Sequence, residues 1–71
     1  MKFEDALKAM RKAKVVARAG ATDGAKFALQ LRGNTKTLHI KWGSGDWYDM
    51  TVGGTHFSNT SILAEDWEVA E

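Results

Sequence analysis

Lys26-Phe27-Ala28-Leu29-Gln30-Leu31-Arg32-Gly33-Asn34-Thr35-Lys36-Thr37-Leu38-His39-Ile40-Lys41-Trp42 is the stretch on which the fold turns. Phe27, Leu29 and Leu31 alternate with Lys26, Ala28 and Gln30, the period-two pattern of a half-buried strand over Lys26 to Leu31. Arg32-Gly33-Asn34-Thr35 makes a tight turn. Beyond it Leu38, Ile40 and Trp42 alternate with Thr37, His39 and Lys41, a second strand of the same kind.

Upstream of these strands the period is 3.6. Phe3, Ala6, Leu7, Met10 and Ala13 follow the i, i+3, i+4, i+7 spacing of one helical face. Glu4 and Asp5 precede Arg11, Lys12 and Lys14, an order that complements the helix dipole, so a helix is expected over Phe3 to Lys12. Val15 to Arg18 reads as a short strand, and Ala19 to Gly24, with its Asp23-Gly24 step, as a turn or open loop. Downstream, Gly43-Ser44-Gly45-Asp46 turns the chain into a strand over Trp47 to Val52, with Tyr48, Met50 and Val52 on one face. Gly53-Gly54-Thr55 breaks that run. Ser58 is an N-cap for a single helical turn carrying Ile62 and Leu63. Glu65 to Val69 closes as a strand with Trp67 and Val69 facing inward. The sum is an α+β fold: one N-terminal helix packed on a small antiparallel β-sheet, with a short helical turn before the C-terminal strand.

The 71 residues have room for one domain, 1–71. So short a chain buries only about 60% of its unfolded surface. With no cysteine there is neither a disulfide framework nor a thiolate metal site, which makes self-association the expected source of extra stability. Ten Lys plus Arg against nine Asp plus Glu is too balanced for a nucleic-acid coat or a membrane-surface binder. No apolar run reaches transmembrane length and the amino terminus has no signal-peptide core, so the expected location is the cytoplasm, without a membrane partner.

Catalysis is not expected. His39 and His56 lack metal-ligand spacing, and Asp46 and Asp49 sit at positions that a strand would not aim at one reacting atom. No cofactor is implied. Anion binding has more to support it. Arg18-Ala19-Gly20-Ala21-Thr22-Asp23-Gly24-Ala25-Lys26 sets two cations around glycine amides that an anion can approach closely, although the GxxxxGK[ST] phosphate loop is absent. The same stretch reads first as an ordinary hairpin loop with solvated charges. Trp42, Trp47, Tyr48 and Phe57 cluster along the sequence and offer rings on which a base could stack, or which simply fill a core or interface. Trp47 is expected to be the exposed ring, because Asp49 and Thr51 alternate with it. Ser58-Asn59-Thr60-Ser61 supplies short polar side chains suited to ribose hydroxyls.

Three segments carry a resemblance: Met1-x-Phe3-x-x-Ala6-Leu7-x-x-Met10-Arg11, then Val16-x-Arg18-x-Gly20, then Ser58-x-x-x-x-Leu63-Ala64-x-Asp66-Trp67-x-Val69. Together they resemble the phage Thoeris anti-defence sponges of the second type, a family of small proteins formerly grouped as a domain of unknown function. The resemblance covers both ends of the chain, and Arg32 to Phe57 matches only in pattern. It implies a non-enzymatic cytoplasmic homo-oligomer, a tetramer, which captures a cyclic ADP-ribose isomer or another cyclic nucleotide immune signal in pockets between protomers. The signal is held intact, so immune evasion requires no cleavage. Arg18 and Lys26 would neutralise phosphates, Ser58 and Asn59 would bond ribose or base, and Trp47 would stack. Asp66 would either join them or cap local backbone amides, and Leu63 and Trp67 would serve the core or the subunit interface. The chain departs from the family at Ala21, where a tryptophan is common, at Ala13, usually glycine, and at Ser61, commonly acidic. The alternative reading is a small module that binds a protein partner through an exposed aromatic face. A single-stranded nucleic-acid binder is disfavoured by the lack of excess positive charge.

Overall fold

The computed structural model describes residues 1–20, 24–43, 45–50 and 57–70, with Arg32 by its backbone alone. In chain order the elements are α1 (Phe3–Arg11), β1 (Val16–Arg18), β2 (Ala25–Arg32), β3 (Thr35–Trp42), β4 (Tyr48–Asp49), α2 (Asn59–Leu63) and β5 (Trp67–Val69). The alternating stretch forms a long antiparallel hairpin, paired without a break from Ala25↔Trp42 to Arg32↔Thr35. Its two-residue loop has Gly33 at the first central position with φ 65°, a left-handed conformation that a residue with a Cβ adopts only under strain.

The other strands add to this hairpin, giving a five-stranded antiparallel sheet in the order β4-β3-β2-β1-β5. The C-terminal strand thus ends beside the first strand, at one edge. Cross-strand partners share a face, so Val16, Phe27 and Ile40 point to one side and Ala17, Lys26 and Lys41 to the other. The first side is the helix side. There Ala6 and Met10 of α1 meet Val16 and Trp67 in a fully buried cluster, flanked by Phe3, Leu7, Phe27, Leu29, Leu38 and Phe57. The rings of Phe3, Phe27 and Phe57 stand 5.4, 5.5 and 5.7 Å from that of Trp67, at tilted or edge-on angles. A second cluster, Ala25, Ile40 and Met50, extends the core toward β4.

Two contacts fasten the C-terminal segment. The Trp67 indole N–H donates to the Ser61 carbonyl at 2.9 Å, which ties α2 to β5 and satisfies the one polar atom of a side chain that is 1% exposed. Met1 and Trp67 exchange backbone bonds, Trp67 N–H to Met1 C=O at 3.1 Å and the Met1 amino group to Trp67 C=O at 2.7 Å.

At its other end α1 closes with Ala13 N–H on the Met10 carbonyl and Lys14 N–H on the Ala9 carbonyl, both near 3 Å. That paired cap needs a left-handed residue between helix and strand, and Ala13 supplies it at φ 64°.

The α+β architecture is as expected, with element ends shifted by a residue or two. Three details differ. Val69 is 51% exposed instead of inward, because it lies on a three-residue edge strand beyond the cover of α1. Leu31 is exposed because its pairing with Lys36 places it next to the hairpin tip. β4 spans only Tyr48–Asp49, although the Met50 N–H still reaches the Leu38 carbonyl at 3.0 Å. Ala21, Ser44, Thr51, Val52, the Gly53-Gly54-Thr55 break and His56 lie outside the described residues. Among the described residues, no helix is long and apolar enough to cross a membrane.

Candidate functional site

The residues singled out in the sequence fall into three groups. The first stands where β1 and β5 begin to part. Arg18 is opposite Trp67 in the register, and the chain before Trp67 curls so that Asp66 meets the guanidinium. Arg18 Nε donates to Asp66 Oδ1 at 2.8 Å and Nη2 to Oδ2 at 3.3 Å, a fork-on-fork pair that fixes both planes. Asp66 Oδ2 also accepts the Gly20 N–H at 2.9 Å. The backbone follows the same line, with Ala19 N–H on the Asp66 carbonyl at 2.9 Å. A Cβ on Gly20 would stand 2.7 Å from Asp66 Oδ2, so a larger residue there displaces the carboxylate from this arrangement. The Arg18 hydrogen bond holds the Asp66 carboxyl below its ordinary range; partial desolvation opposes this and the Gly20 amide assists it. Asp66 therefore does bond a backbone amide, but one distant in the chain and in company with Arg18.

The second group is the start of α2. Ser58 is its N-cap, its Oγ accepting the Ser61 N–H at 3.2 Å, and Asn59 is the exposed first residue of the helix. Because α2 is bonded to Trp67, this group shares the helix side of the sheet with Arg18 and Asp66.

The third group lies on the opposite face. Lys26 pairs with Ala17 on one side and Lys41 on the other, so the pleat sends it away from Arg18. Lys41 in turn places its Nζ 5.5 Å from the centroid of the Trp47 ring, within cation–π range. Trp47 is half-buried and is not the most exposed ring. Trp42 and Tyr48 are, at 43% and 58%, their centroids 6.2 Å apart at the β3–β4 edge. Two residues before Lys41, His39 donates through Nδ1 to the Thr37 carbonyl at 3.0 Å and faces Asp49 across the strands.

Beside these groups an open groove of about 430 Å³ runs between the start of α1 and α2, lined by Lys2, Phe3, Glu4, Ile62, Leu63, Ala64 and Glu65. Leu63 projects beside it, 79% exposed. Among the described residues, no group of three or more His, Cys, Asp or Glu is placed to hold a metal ion.

Sequence reasoning missed Lys41 and the Arg18–Asp66 pair. The first was within reach: Lys26 and Lys41 are equidistant from the Gly33-Asn34 loop, so a two-residue hairpin sets them opposite each other. The second joins residues 48 apart and depends on β5 lying beside β1, which no local pattern announces. In comparisons with family models, curated proteins and solved structures, the chain matches none.

Proposed function

We propose that the protein is a homo-oligomeric phage anti-defence sponge. It binds a cyclic ADP-ribose-type or other cyclic nucleotide immune signal in pockets between protomers, in the cytoplasm of the infected bacterium, and holds it uncleaved. One observation carries this reading. The three segments that bear the resemblance, far apart in sequence, pack into one continuous half of the molecule: α1 against β5, β1 beside β5, Arg18 on Asp66 and Met1 on Trp67. A signature shared through a common fold would have this contiguity.

The faces of the sheet support pockets between protomers in particular. Ser58 and Asn59 lie on the helix side and Lys26 on the other, so these residues reach one ligand where the helix side of one protomer meets the opposite face of another. The exposed Leu63 and its groove supply apolar surface for such an assembly.

The test is retention and recovery. Purified protein is incubated with cyclic ADP-ribose isomers and cyclic di- and trinucleotides, passed through a desalting column, then heat-denatured, and the released molecule is chromatographed. One ligand retained and released unchanged is the expected result; release of a cleaved product, or no retention, contradicts it.

The exposed Trp42–Tyr48 pair favours a second reading, a module that docks a protein partner through its aromatic edge. Trp42→Ser with Tyr48→Ser leaves nucleotide capture intact if the protein is a sponge and abolishes partner binding if it is a docking module.

A further inference from the structure

We infer that the open face of the sheet carries the nucleotide-recognition half of the site, with Lys26 and Lys41 gripping phosphate and Trp47 stacking on the base. The inference rests on the sponge reading and adds Lys41 to it. It also assigns the Arg18–Asp66 pair to holding the fold together.

The register sets Lys26 and Lys41 directly opposite each other on adjacent strands, where side chains stand about 5 Å apart at Cβ. An anion seated over this pair of strands can draw a charge-assisted bond from each lysine. Both lysines are half-buried on a face over which neither described helix packs. The floor beside them is Ala28, which is 7% exposed although its side chain is a single methyl group. Lys26 and Gln30 flank it along β2 and His39 faces it across the strands, so long polar side chains rim a small apolar floor. Trp47 stands at the Lys41 end, its ring already in contact with that ammonium group.

The surrounding charges limit the ligand class. Glu68 lies in the same row as Lys26, one strand beyond Ala17, and Asp49 faces His39 two residues after Trp47. The positive strip is therefore short and has acidic residues on both sides. It suits a compact anion attached to an aromatic base and repels a long polyanionic strand, in keeping with the balanced charge of the whole chain. The Arg18 guanidinium, by contrast, already grips a carboxylate together with the Gly20 amide, an arrangement that fastens β5 to β1.

The test is an amide and side-chain NMR titration of the full chain with three probes: cyclic ADP-ribose, its linear hydrolysis product ADP-ribose, and a cyclic dinucleotide. The Trp47 indole N–H signal, assigned with Trp47→Phe, reports the open face; the Arg18 Nε–H and Gly20 amide report the clamp. Movement of Trp47 and of the β2 and β3 amides by at least one probe, with Arg18 and Gly20 still, is the expected result. Lys26→Gln and Lys41→Gln each then weaken that probe about tenfold, the scale of losing one charge-assisted bond, while leaving the remaining spectrum in place. Movement of Arg18 and Gly20 with Trp47 unmoved overturns the inference but leaves the sponge reading standing, as does undiminished binding by both glutamine variants. Silence of every signal toward every probe overturns both.

Discussion

Among the described residues, Ala13 is the one whose backbone is most at odds with its side chain. At φ 64° it occupies the left-handed region, which costs a residue with a Cβ about 1–2 kcal/mol and glycine almost nothing. The cap it completes is otherwise well made, so Ala13→Gly removes strain without removing a bond. Part of that gain is offset by the freer unfolded chain that glycine creates. A net stabilisation of about 1 kcal/mol is expected, seen as a melting midpoint raised by roughly 4–8 °C. This position is also one at which the chain departs from the family it resembles, and the φ value gives a physical reason for glycine there.

Asp66 makes a second prediction at the same scale. Its folded pKa is lowered, so the native state holds this carboxylate's proton less tightly than the unfolded chain does. The stability it contributes is complete above the ordinary carboxylate pKa, near pH 4, and is lost as pH falls through the lowered value. Asp66→Asn should therefore melt earlier than the native protein at pH 7, and the gap should narrow below pH 4. A gap that stays constant from pH 7 to pH 3 would count against the clamp.

The elements differ in how plainly the sequence announced them. Period two in Lys26 to Leu31 and in Thr37 to Trp42 was legible because both strands alternate between a helix-covered face and one that neither described helix covers. The helix Phe3–Arg11 was legible for the parallel reason, one apolar stripe against one core. Short edge elements were less so. Val69 and Tyr48 have apolar side chains and strand pairing, yet edge position leaves them exposed, and edge position depends on strand order. The five-residue α2 was readable from its cap. Ser58 was assigned there both as N-cap and as a ligand contact, and the cap is now visible as the Oγ to Ser61 N–H bond. Ser58→Ala should accordingly destabilise the ligand-free protein by about 1 kcal/mol, and Ser58→Gly by only a few tenths. Denaturant melts of the two variants check this; equal stability of alanine variant and native protein would deny the cap.

At the scale of the whole molecule, the three groups of candidate residues could not be sorted from sequence. Arg18 and Lys26 flank one loop and looked like two sides of one cradle. Strand parity separates them, since Lys26 is opposite Ala17 and not opposite Arg18. On the proposed function, Lys26 and the Ser58–Asn59 group meet one ligand through an assembly, and that proposed assembly has a testable seam. Leu63, 79% exposed beside the groove, is the most exposed large apolar side chain among the described residues. Leu63→Asp should leave the circular-dichroism spectrum unchanged and shift sedimentation toward the 7.8 kDa monomer. A native protein that already sediments as that monomer would remove the need for the seam.

The central claim is capture of a cyclic nucleotide by the folded protein, and thermal unfolding against a panel of cyclic ADP-ribose isomers and cyclic di- and trinucleotides tests it most directly. A ligand that binds only the native state stabilises it by about 2.7 kcal/mol at a hundredfold excess over its Kd. In a domain of this size that raises the melting midpoint by roughly 10 °C or more. The account predicts such a rise with at least one member of the panel, diminished in Lys26→Gln and Lys41→Gln. An unchanged midpoint with every member would contradict it.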